Sequence, residues 1–141
     1  MKTLGVAEVE GLPFLIAREL RPYHEPIPDF STRYPGILES CLAAPFQTFD
    51  RKSLYHGLIA KAAVLFYLLI KNHPFLNGNK RIAVTTLFVF LALNDKWLRF
   101  DQEDLYRVSM LAAESKPQYK NEVVRYIEKY IRLNLVSEKG G

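Results

Sequence analysis

Nine consecutive residues, His73-Pro74-Phe75-Leu76-Asn77-Gly78-Asn79-Lys80-Arg81, gather one imidazole, two amides, one ammonium and one guanidinium between two strongly apolar stretches. A helix that begins near Gly78 presents its first backbone N–H groups and the positive end of its dipole to the preceding turn, which makes an anion site. Gly78 has no side chain to hold a phosphate away and tolerates unusual backbone angles. Lys80 and Arg81 follow Asn77 by three and four residues, so all three approach one end of the helix surface. Arg81 offers a two-pronged fork and Lys80 a point charge for phosphate oxygens. An imidazole, with an ordinary pKa of ~6.5, is largely neutral at pH 7 and suits the general base for a hydroxyl. His73 stands where such a base is needed. A phosphate cradle beside a base is the minimal equipment for phosphoryl or nucleotidyl transfer.

The flanking elements must position this loop. Asp50 offers an N-cap for a helix running through Leu54, Leu58, Ala62, Leu65, Phe66, Leu69 and Ile70 to Lys71-Asn72. Asn79 to Leu93 is apolar almost all round after its first turn, which predicts a helix in the middle of the molecule, stopped by Asn94-Asp95. Upstream, the spacing of Val6, Val9, Leu12, Leu15, Ile16 and Leu20 predicts a helix near 7–20, with Gly11 and Pro13 against it. Prolines at 22, 26, 28 and 35 make Arg21 to Pro35 a loop, and Pro35 opens a short helix through Ile37, Leu38, Cys41 and Leu42 to about Pro45. Asp101 and Asp104 resemble a capping pair for a helix to about Glu114, and Pro117 opens a last helix to about Leu133. Strand is expected only within Lys96 to Phe100 and part of the proline-rich loop. The expectation is an all-α bundle of about six helices forming one domain over 1–141, with 137–141 as a frayed tail.

Composition sets outer bounds. The 141 residues are 49% hydrophobic and 13% aromatic, enough for one packed core. The twelve-residue apolar run Ile82 to Leu93 falls short of the ~20 residues that span a bilayer. One cysteine, Cys41, allows no internal disulfide, and a cytoplasmic setting is the expectation. The net charge of +4 is spread along the chain without a block of five like charges, so it selects no nucleic-acid arm.

The nine-residue loop resembles the signature of the Fic/Doc superfamily, His-x-Phe-x-Asp/Glu/Asn-x-Asn-Gly/Lys-Arg, with His73, Phe75, Asn77, Asn79, Lys80 and Arg81 in register and Gly78 agreeing with the common form. The similarity extends from Pro35-Gly-Ile-Leu-Glu-Ser through Asn94. The resemblance implies a compact helical bundle with a small flap loop or hairpin, placed around Pro28 to Pro35, that aligns a target polypeptide beside the catalytic base His73. It implies that Asn79 and the backbone around Gly78 form an anion hole, that Lys80 and Arg81 bind phosphates, and that Phe75 anchors the loop. ATP or another nucleotide triphosphate is the implied co-substrate, with Mg²⁺ at Asn77.

Lys80 stands where Fic adenylyltransferases have Gly, and Val84 where they have a second Arg. Both resemble the Doc branch, so the leading expectation is a kinase that moves a phosphate to a Ser, Thr or Tyr hydroxyl of a target protein. Protein adenylylation, or a catalytically inactive interaction module, is the alternative. Asn77 replaces the usual Asp or Glu, and an amide oxygen brings a metal no charge. The self-restraining pattern Ser/Thr-x-x-x-Glu-Gly/Asn has its nearest ending at Glu10-Gly11, but Val6 occupies the Ser/Thr place. A separate antitoxin is therefore the expected partner.

Plainer readings stand beside these. Asn77 is equally an N-cap in an Asn-Gly turn. His24 and His56 lack partners in their local pattern and read as surface, as do Tyr23, Tyr34 and Tyr119. Cys41 lies on an apolar helical face and reads as inert core. A basic nucleic-acid-binding domain is the rival from another class. It is disfavoured because the motif's cations adjoin the two most apolar helices and line no exposed recognition face.

Overall fold

The computed structural model describes residues 1–17, 19 and 27–137. Its helices are α1 (Val6–Glu10), α2 (Leu12–Ala17), α3 (Ile37–Ala43), α4 (Gly57–Lys71), α5 (Asn79–Leu93), α6 (Gln102–Glu114) and α7 (Lys120–Asn134). Single 3₁₀ turns lie at Phe30–Thr32, Ala44–Phe46 and Pro117–Tyr119. Helices α1 and α2 share the place of the first expected helix, so the six-helix bundle stands as expected. The break falls at Gly11, whose ψ of −116° is not helical. The expected end of that helix, with Pro22, Tyr23, His24 and Pro26 and the tail beyond Ser137, lies outside the described residues.

Helix α5 is central because its residues are apolar on every side. Ile82, Ala83, Val84, Leu87, Phe90 and Leu91 are each at most 1% exposed. It packs against α4 on one side and α2 on another, while α4 also carries α7, α6 and α3. Burying a Leu or Phe side chain contributes roughly 1.5–3 kcal/mol, so this layer holds the start of α5 rigidly in place. The helix ends as expected at Asn94-Asp95. Asp95 takes a left-handed φ of 62°. The Asn94 amide donates to Phe90 O and Lys2 O and accepts from Lys2 N–H, tying the N-terminal residues to the helix end.

Two local expectations are corrected. Asp50 does not cap α4. Asp50 and Arg51 take φ of 52° and 65° and form the two-residue turn of a hairpin between β1 (Thr48–Phe49) and β2 (Lys52–Ser53). A turn with both central residues at positive φ matches the twist of paired strands, which is why it wins over a helix start here. Helix α4 begins instead at Gly57, after His56 in extended conformation. The buried Lys61 ammonium donates to Tyr55 O and lies 5.8 Å from the Phe46 ring centroid, fastening the hairpin's return to α4. Strand is also absent from the described part of the proline-rich segment, which holds the 3₁₀ turn Phe30–Thr32. The other strand expectation holds, with β3 (Trp97–Leu98) pairing antiparallel with β4 (Leu135–Val136).

The expected cap of α6 is present. The Asp101 carboxylate accepts from Glu103 N–H (2.8 Å) and Asp104 N–H (3.2 Å). Asp101→Ala is expected to cost about 1 kcal/mol of stability, read as a lower urea midpoint with an unchanged slope. An unchanged midpoint would show that the cap contributes nothing.

Candidate functional site

The loop between α4 and α5 is held from below by rings and from within by one amide. Phe75 is 1% exposed, and its ring centroid lies 5.6 Å from those of both Phe14 and Phe30, which are 5.3 Å apart and edge-to-face. Three chain segments thus meet at one aromatic cluster, an arrangement that ring quadrupoles favour beyond the area they bury. Above it, the Asn79 side chain accepts from Phe75 N–H through Oδ1 (3.0 Å) and donates to Phe75 O through Nδ2 (2.8 Å). Both backbone groups of a buried residue are satisfied by a side chain on the first turn of the following helix. The loop therefore closes on itself.

This closure sets His73. Its φ of 48° lies in the left-handed region, which costs a non-glycine residue about 1–3 kcal/mol and persists only where the surroundings impose it. Pro74 and Phe75 are buried beside it, while His73, Leu76 and Asn77 are exposed. The Asn79 Nδ2 also lies 3.4 Å from His73 Nδ1. The pair of bonds to Phe75 fixes which end of the amide faces the imidazole: its NH₂ group. The contact thus favours a lone pair on Nδ1 and a proton on Nε2.

Gly78 caps α5 at φ 74°, a conformation that suits its lack of a side chain, and its carbonyl accepts from Ile82 N–H (2.9 Å). Lys80 is half-buried in the first turn. Arg81 is 7% exposed and its Nη1 donates to Ala17 O (3.2 Å), so part of its fork fastens α2 to α5. The proline-rich segment does reach the loop, since Tyr34 N–H donates to Pro74 O (2.9 Å). The candidate residues are therefore assembled at one end of α5. The clamping role of the Asn79 side chain was not anticipated, because its partners are backbone groups that no residue type announces.

Among the described residues, no group of three His, Cys, Asp or Glu side chains is arranged to hold a metal ion. The exposed Asn77 amide is a neutral oxygen donor at the loop tip. That donor fits a Mg²⁺ ion that draws most of its oxygens from phosphates and water. The remaining expectations are plain in the structure: His56, Tyr34 and Tyr119 are exposed. Cys41 is fully buried, with its thiol pushed up to about 11 by burial against a smaller opposing effect of the Asn72 amide. A thiol so placed is no nucleophile near neutral pH.

Residues 14–91 match the family model described as the Fic/DOC family. That is more than half of the chain, and the chain belongs to this family. A protein of Mycolicibacterium smegmatis (strain ATCC 700084 / mc(2)155) named Toxin Doc is 34% identical over 73 residues, covering 52% of this chain and 56% of the relative. The chain thus spans about half the length of that curated relative. No solved structure matches.

Asn79→Ala removes both bonds to Phe75 and leaves a buried N–H and C=O without them. The expected loss is about 1–3 kcal/mol, seen as a lower melting temperature together with faster amide exchange at Phe75. Slow exchange at Phe75 in the variant would show that the rings alone hold the loop.

Proposed function

We propose that this chain is a Doc-like kinase that transfers the γ-phosphate of a nucleotide triphosphate to a Ser, Thr or Tyr hydroxyl of a target protein, and that it acts as the toxin of a toxin–antitoxin pair. The observation that carries the reading is the exposed imidazole of His73, held beside the N-terminus of α5 by the Asn79 clamp. The named relative, Toxin Doc, supports the toxin assignment and a separate antitoxin partner.

In the proposed reaction the hydroxyl oxygen attacks the γ-phosphorus, the bond from that phosphorus to the bridging oxygen breaks, and ADP leaves. His73 takes the hydroxyl proton. If it does so at Nε2, that nitrogen must carry the lone pair and Nδ1 the proton, which gives up the long 3.4 Å contact with Asn79. The backbone N–H groups at Gly78 and Asn79, together with the Lys80 ammonium and the Arg81 guanidinium, would hold phosphate oxygens. Asn77 would hold Mg²⁺, whose contribution when bound is to neutralise phosphate charge. Catalysis of this kind rests mainly on positioning and charge stabilisation.

Two residues favour phosphate transfer over adenylylation. Lys80 brings a side chain and a charge to the first turn of α5, where Fic adenylyltransferases have glycine, and Val84 is 1% exposed in the core, where they carry a second arginine. A candidate target incubated with this protein, ATP and Mg²⁺ is expected to gain the mass of one phosphate while ADP accumulates. His73→Ala is expected to slow transfer by ~10²- to 10⁴-fold, the usual range for loss of a general base. An AMP adduct with pyrophosphate would overturn the kinase assignment in favour of adenylylation. A His73→Ala protein as active as the parent would overturn the catalytic reading itself.

Asn77→Asp adds a charged oxygen without changing shape, at a helix start that favours negative charge. Its Mg²⁺ requirement is expected to fall, with activity equal or higher. Severe loss of activity in a folded variant would show that the amide N–H₂ is needed instead.

A further inference from the structure

A further cation, Arg33, stands outside the motif on the segment that is bonded to the loop. Arg33 ends the 3₁₀ turn with its N–H donating to Phe30 O (3.1 Å), and the next residue, Tyr34, donates to Pro74 O. Residue 33 is thus fixed by backbone bonds beside the segment that carries His73. Its guanidinium carbon lies 4.8 Å from the centroid of Phe30, one of the three rings of the cluster under the loop.

The polar edge of this guanidinium is incompletely used. Arg33 Nε is buried and has no hydrogen-bond partner among the described residues. Among the described residues no carboxylate pairs with Arg33, although Asp29 stands four residues before it. A buried donor is ordinarily satisfied, and an arginine stacked by its face on a ring keeps its edge for a planar or tetrahedral anion. The adjoining segment 72–81 contains no acidic residue to repel one. The anion expected there, a triphosphate, needs more positive charge than Lys80 and Arg81, whose fork is tied to Ala17 O, supply.

We propose that Arg33 is a further phosphate-binding residue of the site, its terminal nitrogens donating to phosphate oxygens of the nucleotide at the start of α5. This rests on the loop being the nucleotide site. The Tyr34 to Pro74 bond makes the position of Arg33 depend on the loop, so the segment before α3 and the motif form one phosphate-binding unit.

The test is calorimetric binding of ATP and of inorganic tripolyphosphate, which keeps the phosphates and lacks the nucleoside. The parent is His73→Ala protein, measured without a target protein so that the nucleotide is not consumed by transfer. Adding Arg33→Gln is expected to weaken both ligands by about tenfold or more, the size of one charge-assisted contact, while Arg33→Lys recovers part of the loss. Unchanged ATP affinity in a folded Arg33→Gln protein overturns the inference and leaves the nucleotide site standing. Weaker ATP binding with unchanged tripolyphosphate binding also overturns it, because the effect then lies with the nucleoside. A parent that binds neither ligand overturns the nucleotide site and the inference together.

Discussion

The site depends on one amide. Asn79 uses both of its polar atoms on the backbone of Phe75, so the first turn of α5 and the loop before it cannot move independently. The position of His73, its left-handed backbone and the exposure of its ring follow from that closure and from the buried Phe75 ring. An exposed loop of this length would otherwise sample many conformations, and ordering it costs roughly 1–2 kcal/mol of backbone entropy per residue. The clamp and the ring cluster offset that cost before any ligand arrives.

The rest of the fold gives the clamp a fixed base. Helix α5 is surrounded by apolar partners, which keeps its N-terminus in place relative to α2 and α4. The aromatic cluster joins α2, the segment around Phe30 and the loop. Arg81 adds a polar tie from α5 to the end of α2 at Ala17. The candidate residues of the motif thus lie on the loop and the first turn of α5, held there by the elements around them.

What was legible in the amino-acid sequence was contiguous. The motif lies within nine residues, and the apolar runs on either side set α4 and α5 with their ends near Asn72 and Asn94. Features that depend on backbone geometry were less visible. The hairpin at Thr48–Ser53 turns on Asp50-Arg51, a pair without the Asn-Gly signature, and Asp50 reads as readily as a helix cap. The contact of Lys61 with Phe46, and the Tyr34 to Pro74 bond that sets Arg33 near the loop, join segments apart in the sequence, which local pattern does not encode. Asn79 was read as a candidate site residue, but the bonds of its side chain emerged only with the backbone partners in view.

The central claim is that the clamped loop and the start of α5 form one phosphate seat with the terminal phosphorus beside residue 73. A crystal structure of His73→Ala protein with a non-hydrolysable ATP analogue and Mg²⁺ tests it most directly. The account predicts phosphate oxygens within hydrogen-bond distance of the backbone N–H groups at Gly78 and Asn79, with the γ-phosphorus nearest to Ala at position 73. Phosphates bound away from the start of α5, or an α-phosphorus in the place of the γ, would contradict it.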